Sequence, residues 1–144
     1  MSSVRGGPLL LDTSVLVEAL RPSGRVDVRS AVYDAVDDGV AIIIGLIRVE
    51  LLRGARDRAM FQQLATLLDG VVTVPTGPQT WARAADLGFT LQRLGVAVPT
   101  TDIVIAASAL ENEATVMHLD RHFEFIAGAS ELRQIYGGRT ESTI

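Results

Sequence analysis

Residues 9–14, "LLLDTS", carry an apolar run directly into an aspartate and two hydroxyl side chains. The run "PLLLD" predicts a short buried strand over 8–12. A strand that ends in a carboxylate places a charge at the edge of the core, where it needs a hydrogen-bond donor or a cation. Taken alone, Asp12 is best explained as the N-cap of a following turn, because aspartate is a preferred capping residue. A functional role requires other acids to converge on it.

Similar apolar runs recur along the chain and alternate with helical patterns. The further strands are predicted at 40–45 ("VAIIIG"), 71–75 ("VVTVP"), 115–120 ("TVMHLD") and 132–136 ("LRQIY"). The helices are predicted at 26–39, 46–55, 56–70, 78–94, 99–114 and, as a short one, 121–127. Strands that alternate with helices predict an α/β fold with a mostly parallel sheet covered on both faces. Ligands of such sheets bind outside the carboxyl ends of the strands, where Asp12 is expected to lie.

Composition limits the protein to a few classes. A length of 144 residues with 48% hydrophobic residues predicts a single domain, 1–144, with a core over about 9–136 and loose ends at 1–7 and 137–144. The absence of cysteine excludes disulfides and thiolate metal sites. No apolar run approaches the roughly 18–20 residues of a membrane span, and "PLLL" is too short for a signal peptide, so a cytoplasmic protein is expected.

The charge balance is acidic, with a net charge of −4, and all 13 basic residues are arginines. This total argues mildly against a nucleic-acid binder, although divalent cations held by several of the acids would neutralise it. Arg21, Arg25, Arg53 and Arg56 are candidates for phosphate contacts, because guanidinium groups match phosphate oxygens in a bidentate manner. Each of them also fits an ordinary solvated surface charge.

Two further acids are expected near Asp12 at the same edge of the sheet. Asp120 ends "TVMHLD" as Asp12 ends "PLLLD", so both acids are expected at the same edge of the sheet. Asp102 lies in the first turn of the helix predicted at 99–114, whose small apolar residues favour close packing on the sheet. The alternative explanation of Asp102 alone is a favourable interaction with the helix dipole.

Glu50 is the fourth candidate. Within "GLIRVELLRGA" (45–55) its helical neighbours include Leu46 and Ile47, so free exposure to solvent is not expected. A buried acid is usually paired or bound to a metal, and the alternative to a metal is an ion pair with Arg53 or another arginine.

Four converging carboxylates would repel one another without cations, and hard divalent ions such as Mg²⁺ prefer oxygen ligands. The two histidines, His118 and His122, flank a strand end rather than share a helix face, and no zinc site is expected. His118 is expected to be an ordinary strand side chain.

Four stretches, "LLLDTSVLVEAL" (9–20), "IRVELLRGA" (47–55), "TTDIVIAASAL" (100–110) and "MHLDRHFEFIA" (117–127), together resemble PIN-domain proteins. More narrowly, they resemble the VapC ribonuclease toxins of toxin–antitoxin pairs. The resemblance covers about 9–136 and rests on the order and spacing of the motifs rather than on any one of them.

The resemblance implies a three-layer α/β/α sandwich and an Mg²⁺-dependent endoribonuclease, with Mn²⁺ able to substitute, that hydrolyses RNA phosphodiesters with metal-activated water. The residues that match the catalytic, metal-binding acids of the family are Asp12, Glu50, Asp102 and Asp120. Ser14 matches a hydroxyl that orients the first acid or touches the metal shell, and Thr13 is expected to cap the following turn. Relatives often carry serine or threonine just before the helical glutamate, whereas this chain has 45–47, "GLI", there.

The resemblance also implies a cognate VapB-type antitoxin, operator DNA bound only through that antitoxin, and a homodimer. Two apolar helix faces are candidates for the antitoxin groove, and ordinary core packing is the alternative for both. They are Val28, Val32 and Val36 on one helix, and Met60, Phe61 and Leu64 on another.

Three other classes fit the sequence less well. A phosphoacceptor receiver domain would need a lysine near its acids, and the chain has none. A dinucleotide-binding domain would show a glycine-rich turn after the first strand, where this chain has "DTSVLVE". A non-catalytic PIN scaffold that binds RNA or a protein partner would be indicated by loss of an acid, and all four acids are present.

Overall fold

A computed structural model of the chain describes residues 7–137. Its centre is a five-stranded sheet with the order β3-β2-β1-β4-β5, and every pairing is parallel. The strands are β1 (Leu9–Leu11), β2 (Ala41–Ile44), β3 (Val72–Val74), β4 (Thr115–His118) and β5 (Arg133–Tyr136). All five predicted strands are therefore confirmed. Of the predicted loose ends, only Gly7 and Gly137 fall inside the described residues.

Seven helices connect the strands within residues 7–137. They are α1 (Thr13–Leu20), α2 (Val26–Asp37), α3 (Gly45–Arg53), α4 (Arg58–Asp69), α5 (Pro78–Arg93), α6 (Thr100–Glu111) and α7 (His122–Gly128). Six of them were predicted, with bounds that differ by a few residues. Helix α1 was not predicted; it buries Val15, Leu16 and Ala19 in the core.

The connectivity distributes the helices over two faces. The chain passes from β1 outward to β2 and β3, then returns across the sheet to β4 and β5. Because parallel crossovers are right-handed, the helices before β3 cover one face and those after it cover the other. The helix contacts agree, since α1 packs on α2 and α3, whereas α6 packs on α5 and α7. The predicted three-layer α/β/α sandwich is confirmed, and the strand order reverses between β1 and β4.

The core holds the central strands and one helix of small residues. Leu10 and Leu11 of β1 and Ile43 and Ile44 of β2 are fully buried. On α6, the fully buried side chains at 105–109 are mostly alanine, which lets this helix lie close to the sheet. Close packing of α6 brings its first turn to the carboxyl edge of the strands.

The two apolar helix faces proposed for an antitoxin groove are largely core. Val28 and Val32 are buried, as is Leu64. Val36 and Met60 are partly buried against the same core. Phe61 is half-buried. The core-packing explanation therefore holds for most of these side chains. Among residues 7–137, no helix has both the length and the apolarity that a membrane crossing requires.

Candidate metal centre

All four predicted acids line one open depression at the carboxyl ends of β1 and β4, where the strand order reverses. The lining residues are Asp12, Thr13, Ser14, Glu50, Arg53, Gly54, Asp102 and Asp120. This position follows the rule that ligands of open α/β sheets bind at the switch point of the strand order. The structure therefore brings all four predicted acids to this depression, and their role as metal ligands stays a prediction.

Asp12 is held by a network that joins β1 to β4. Its side chain is buried, with 5% of the residue exposed. Its Oδ2 accepts hydrogen bonds from the Ser14 backbone N–H (3.1 Å) and from the Ser14 hydroxyl (2.5 Å). Ser14 Oγ in turn accepts from the backbone N–H of Leu119 at 2.9 Å. Asp12 is thus both the N-cap of α1 and a member of the acid cluster, and among residues 7–137 its Oδ1 has no hydrogen-bond donor, which leaves this atom for a ligand.

The contacts of Ser14 with Asp12 are those that the predicted orienting role requires, and this role, still a prediction, has a measurable consequence. Ser14→Ala removes the hydroxyl link between Asp12 and Leu119 but keeps the backbone hydrogen bond. We expect metal affinity to fall about tenfold, the lower end of losses from removing a group that orients a metal ligand. Metal titration measures the effect, and Ser30→Ala on α2 is the matched control. Unchanged metal affinity in Ser14→Ala would contradict the orienting role.

Glu50 has a different partner from the one the sequence suggested. The Thr13 hydroxyl donates to Glu50 Oε1 at 2.8 Å. The prediction that Thr13 caps the turn is wrong, because the cap is the Asp12 side chain. Within the described part of the chain Glu50 forms no ion pair, so the Arg53 alternative does not hold. Thr13 thus supplies Glu50 with a hydroxyl although "GLI" precedes the glutamate.

Asp102 and Asp120 converge on a histidine that sequence reasoning did not assign to the site. His122 Nδ1 lies 3.0 Å from Asp102 Oδ2 and 2.9 Å from Asp120 Oδ1. The His122 backbone N–H also donates to Asp120 Oδ1 at 3.0 Å. His122 is the first residue of α7, two positions after Asp120. This two-residue spacing from Asp120 is the only sequence signal for His122, because the turn after β4 decides where its ring lies.

The other histidine supports the backbone of Asp120. His118 is fully buried at the end of β4, as predicted for a strand side chain. Its Nδ1 accepts from the Asp120 backbone N–H at 3.1 Å, so its Nε2 carries the hydrogen and donates to Gln134 Oε1 at 2.7 Å. Burial lowers the pKa of His118, in keeping with a neutral ring. His118 therefore positions the main chain that presents Asp120.

The surroundings of Asp102 disfavour its charged form. Burial, followed by the charges of Asp120 and Asp12, raises the pKa of Asp102 from 3.8 to about 7, and the contact with His122 only partly opposes this. Only 7% of Asp102 is exposed. Close carboxylates raise one another's pKa because the charged forms repel.

The donor set fits a divalent cation. One ligand atom each from Asp102, Asp120 and His122 lie within 4.8 Å of one another. Asp12 and Glu50 add carboxylates to the same depression. Carboxylate oxygens are the ligands that hard divalent ions take in proteins, and a cation would relieve the repulsion that raises the pKa of Asp102.

The chain is similar to a known protein family and to a curated relative. The PIN domain family model matches residues 9–129. A curated relative, Ribonuclease VapC18 of Mycobacterium tuberculosis, is 29% identical over 121 residues, which cover 81% of this chain and 85% of the relative.

Solved structures share the fold at lower identity. The structure of FitAcB from Neisseria gonorrhoeae matches with a TM-score of 0.74 at 21% identity, over 88% of this chain and 96% of that one. The structure of VapBC2 from Rickettsia felis bound to a DNA fragment from their promoter matches with a TM-score of 0.76 at 17% identity, over 89% and 97% of the two chains. The family match, which spans most of the sheet and all four acids, confirms the resemblance drawn from the motifs: the chain belongs to the PIN domain family.

Proposed function

We propose that this protein is the toxin of a type II toxin–antitoxin pair and acts as an Mg²⁺-dependent endoribonuclease, with Mn²⁺ able to substitute. The observation that carries the proposal is the convergence of Asp12, Glu50, Asp102 and Asp120 in one depression of a PIN fold. The ribonuclease name of the curated relative supports RNA as the substrate class. We propose that the reaction takes place in the cytoplasm, where the cell's RNA is found.

The residues of the site have distinct tasks in this reaction. When bound, divalent ions would supply the positive charge that activates a water and stabilises the leaving oxygen of a phosphodiester. Asp12, Glu50, Asp102 and Asp120 would hold them. Ser14, Thr13 and His118 fix three of these acids through the contacts at Asp12, Glu50 and the Asp120 backbone. The protein therefore acts mainly by positioning carboxylates, a preorganised electrostatic contribution that needs no rearrangement during reaction.

The four candidate arginines differ in their surroundings. Arg21 pairs with Glu18, and Arg25 pairs with Asp27. Arg53 lines the acid depression and also the neighbouring one that contains Phe61. Among residues 7–137, Arg53 has no ion-pair partner. Arg56 is exposed and lines neither depression. We therefore assign a phosphate contact of the RNA to Arg53 ahead of the other three arginines.

This assignment predicts a selective effect of Arg53→Ala. Loss of one charge-assisted contact to phosphate corresponds to about a tenfold fall in kcat/KM, expressed mainly as a higher KM because the contact holds ground state and transition state alike. Steady-state cleavage of a short labelled RNA measures it. Arg21→Ala, which removes an arginine already paired with an acid, is the control. Equal effects of the two substitutions would contradict a specific role for Arg53.

The proposal includes protein partners. Several structural neighbours are described as complexes of VapBC or FitAB proteins, and some contain DNA. We propose that this chain binds a cognate VapB-type antitoxin, reaches operator DNA only through it, and forms a homodimer. An exposed, mostly apolar depression lined by Leu94 and Phe125 offers surface for a protein contact, since contiguous exposed apolar surface is typical of interaction sites.

The alternative is a PIN scaffold that binds RNA or protein without cutting. The test is incubation of antitoxin-free protein with mixed cellular and transfer RNA, in Mg²⁺ and in EDTA. The proposal predicts fragments in Mg²⁺ and intact RNA in EDTA. Cleavage that persists in EDTA would contradict a metal-dependent enzyme, and intact RNA in both conditions would favour the scaffold.

A further inference from the structure

We propose that His122 is itself a ligand of the divalent cation and gives the site a preference for Mn²⁺ over Mg²⁺. This inference rests on the proposed metal site and adds a nitrogen donor to it. The four acids of the proposed ligand set offer oxygen donors only.

The position of Nδ1 carries the inference. It lies 3.0 Å from an oxygen of Asp102 and 2.9 Å from an oxygen of Asp120. Ligands on adjacent corners of an octahedron with metal–ligand distances near 2.1 Å stand about 3 Å apart. The nitrogen therefore stands at ligand spacing from two carboxylate oxygens. One ligand atom from each of the three residues lies within 4.8 Å of the others.

The main chain holds the ring in this place. The His122 backbone N–H donates to the same Asp120 oxygen that the ring approaches. The side chain is 37% exposed, so the imidazole borders the open depression rather than the sealed core. His118 differs in every respect, because it is fully buried and both of its ring nitrogens are engaged, by the Asp120 backbone N–H and by Gln134.

Ligand chemistry links this geometry to metal choice. Mg²⁺ strongly prefers oxygen ligands and keeps several waters. Mn²⁺ also takes carboxylate oxygens, but as the first ion of the first-row transition series it binds an imidazole nitrogen more readily than Mg²⁺ does. A site with His122 as a ligand should therefore bind Mn²⁺ more tightly than four carboxylates alone would. If His122 only bridges the acids by hydrogen bonding, it will not bond to the ion and should affect Mg²⁺ and Mn²⁺ affinity equally.

Pulsed electron paramagnetic resonance of the full chain with one equivalent of Mn²⁺ tests this directly, in imidazole-free buffer and without a purification tag. The proposal predicts nuclear modulation from a coordinated nitrogen, which changes from the ¹⁴N to the ¹⁵N pattern when the protein is labelled with ¹⁵N-histidine. The chain has only two histidines, and the other one, His118, is fully buried with both ring nitrogens hydrogen-bonded. His122→Asn should therefore abolish the signal. The label experiment uses wild-type protein and does not depend on how the variant folds.

Affinity measurements form the second arm. His122→Asn should weaken Mn²⁺ binding at least about tenfold, with a clearly smaller change for Mg²⁺. Bound Mn²⁺ without histidine modulation would overturn the role of His122 and leave the metallonuclease standing. Modulation that persists in folded His122→Asn would also overturn it. Failure of wild-type protein to bind Mn²⁺ at all would overturn both this inference and the proposed function.

Discussion

Asp12→Asn is expected to abolish RNA cleavage, lowering kcat/KM by at least about a thousandfold, while leaving the fold intact. Asparagine matches aspartate in shape, and its oxygen can still accept the two hydrogen bonds from Ser14. The substitution therefore keeps the N-cap of α1 and the link to β4. It removes one negative charge from the depression that the four acids line, so cation binding should be lost without an accompanying cavity.

Cleavage assays measure the loss of activity. Circular dichroism and thermal melting of the same sample measure whether the fold is intact. The matched control is Asp86→Asn, which makes the same chemical change on an exposed position of α5. The control should cleave like the parent protein. A folded Asp12→Asn protein that cleaves RNA at the parent rate would contradict the assignment of Asp12.

Asp102→Asn is expected to separate stability from function, since it should stabilise the metal-free protein and abolish cleavage. Burial and the charges of Asp120 and Asp12 raise the pKa of Asp102 to about 7. Keeping this carboxylate ionised therefore costs free energy in the absence of a cation. Asparagine fills the same space without that charge, and its oxygen can still accept a hydrogen bond from His122.

The sign of the pH dependence follows from the raised pKa. In the unfolded chain Asp102 ionises near its ordinary value of 3.8, whereas in the folded protein it stays protonated to about pH 7. Between these values the folded state binds more protons, so the contribution of Asp102 to stability is full below pH 3.8 and is lost as the pH rises to 7. The full shift corresponds to at most about 4 kcal/mol.

Denaturant unfolding in EDTA across pH 4–8, with parent and variant side by side, measures this effect. The stability advantage of Asp102→Asn should grow from pH 4 to pH 7 and then level off. Saturating Mg²⁺ should reverse the order by stabilising only the parent protein. An Asp102→Asn protein that is less stable than the parent at pH 8 in EDTA would contradict the electrostatic account.

The sequence was informative wherever one short segment decides the outcome. The strands are visible in the sequence as apolar runs. An acid directly after such a run lies at the edge of the sheet, and this rule placed Asp12 and Asp120 there. Glu50 was proposed because a charge on an apolar helix is costly. Asp102 was proposed because it lies in the first turn of a helix whose small residues favour close packing on the sheet. Helix α1 was not predicted because its eight residues directly follow the first strand and continue its apolar character. The N-cap formed by Asp12 with Ser14 was the local signal for it.

The features that could not be predicted depend on contacts between distant segments. The Thr13–Glu50 hydrogen bond joins residues 37 positions apart, and the Ser14–Leu119 bond joins residues 105 positions apart. Neither leaves a periodic pattern in the sequence. His122 reaches Asp102 across 20 positions, and only the turn between β4 and α7 brings its ring to that acid.

The most direct test of the central claim is end-group analysis of RNA cut by the protein in Mg²⁺, with Asp12→Asn as the blank. Hydrolysis by a water activated at the acid cluster, with the 3′-oxygen leaving, predicts 5′-phosphate and 3′-hydroxyl ends that appear only with the parent protein. Cyclic 2′,3′-phosphate ends, or the same fragments from folded Asp12→Asn, would contradict metal-dependent hydrolysis at this site.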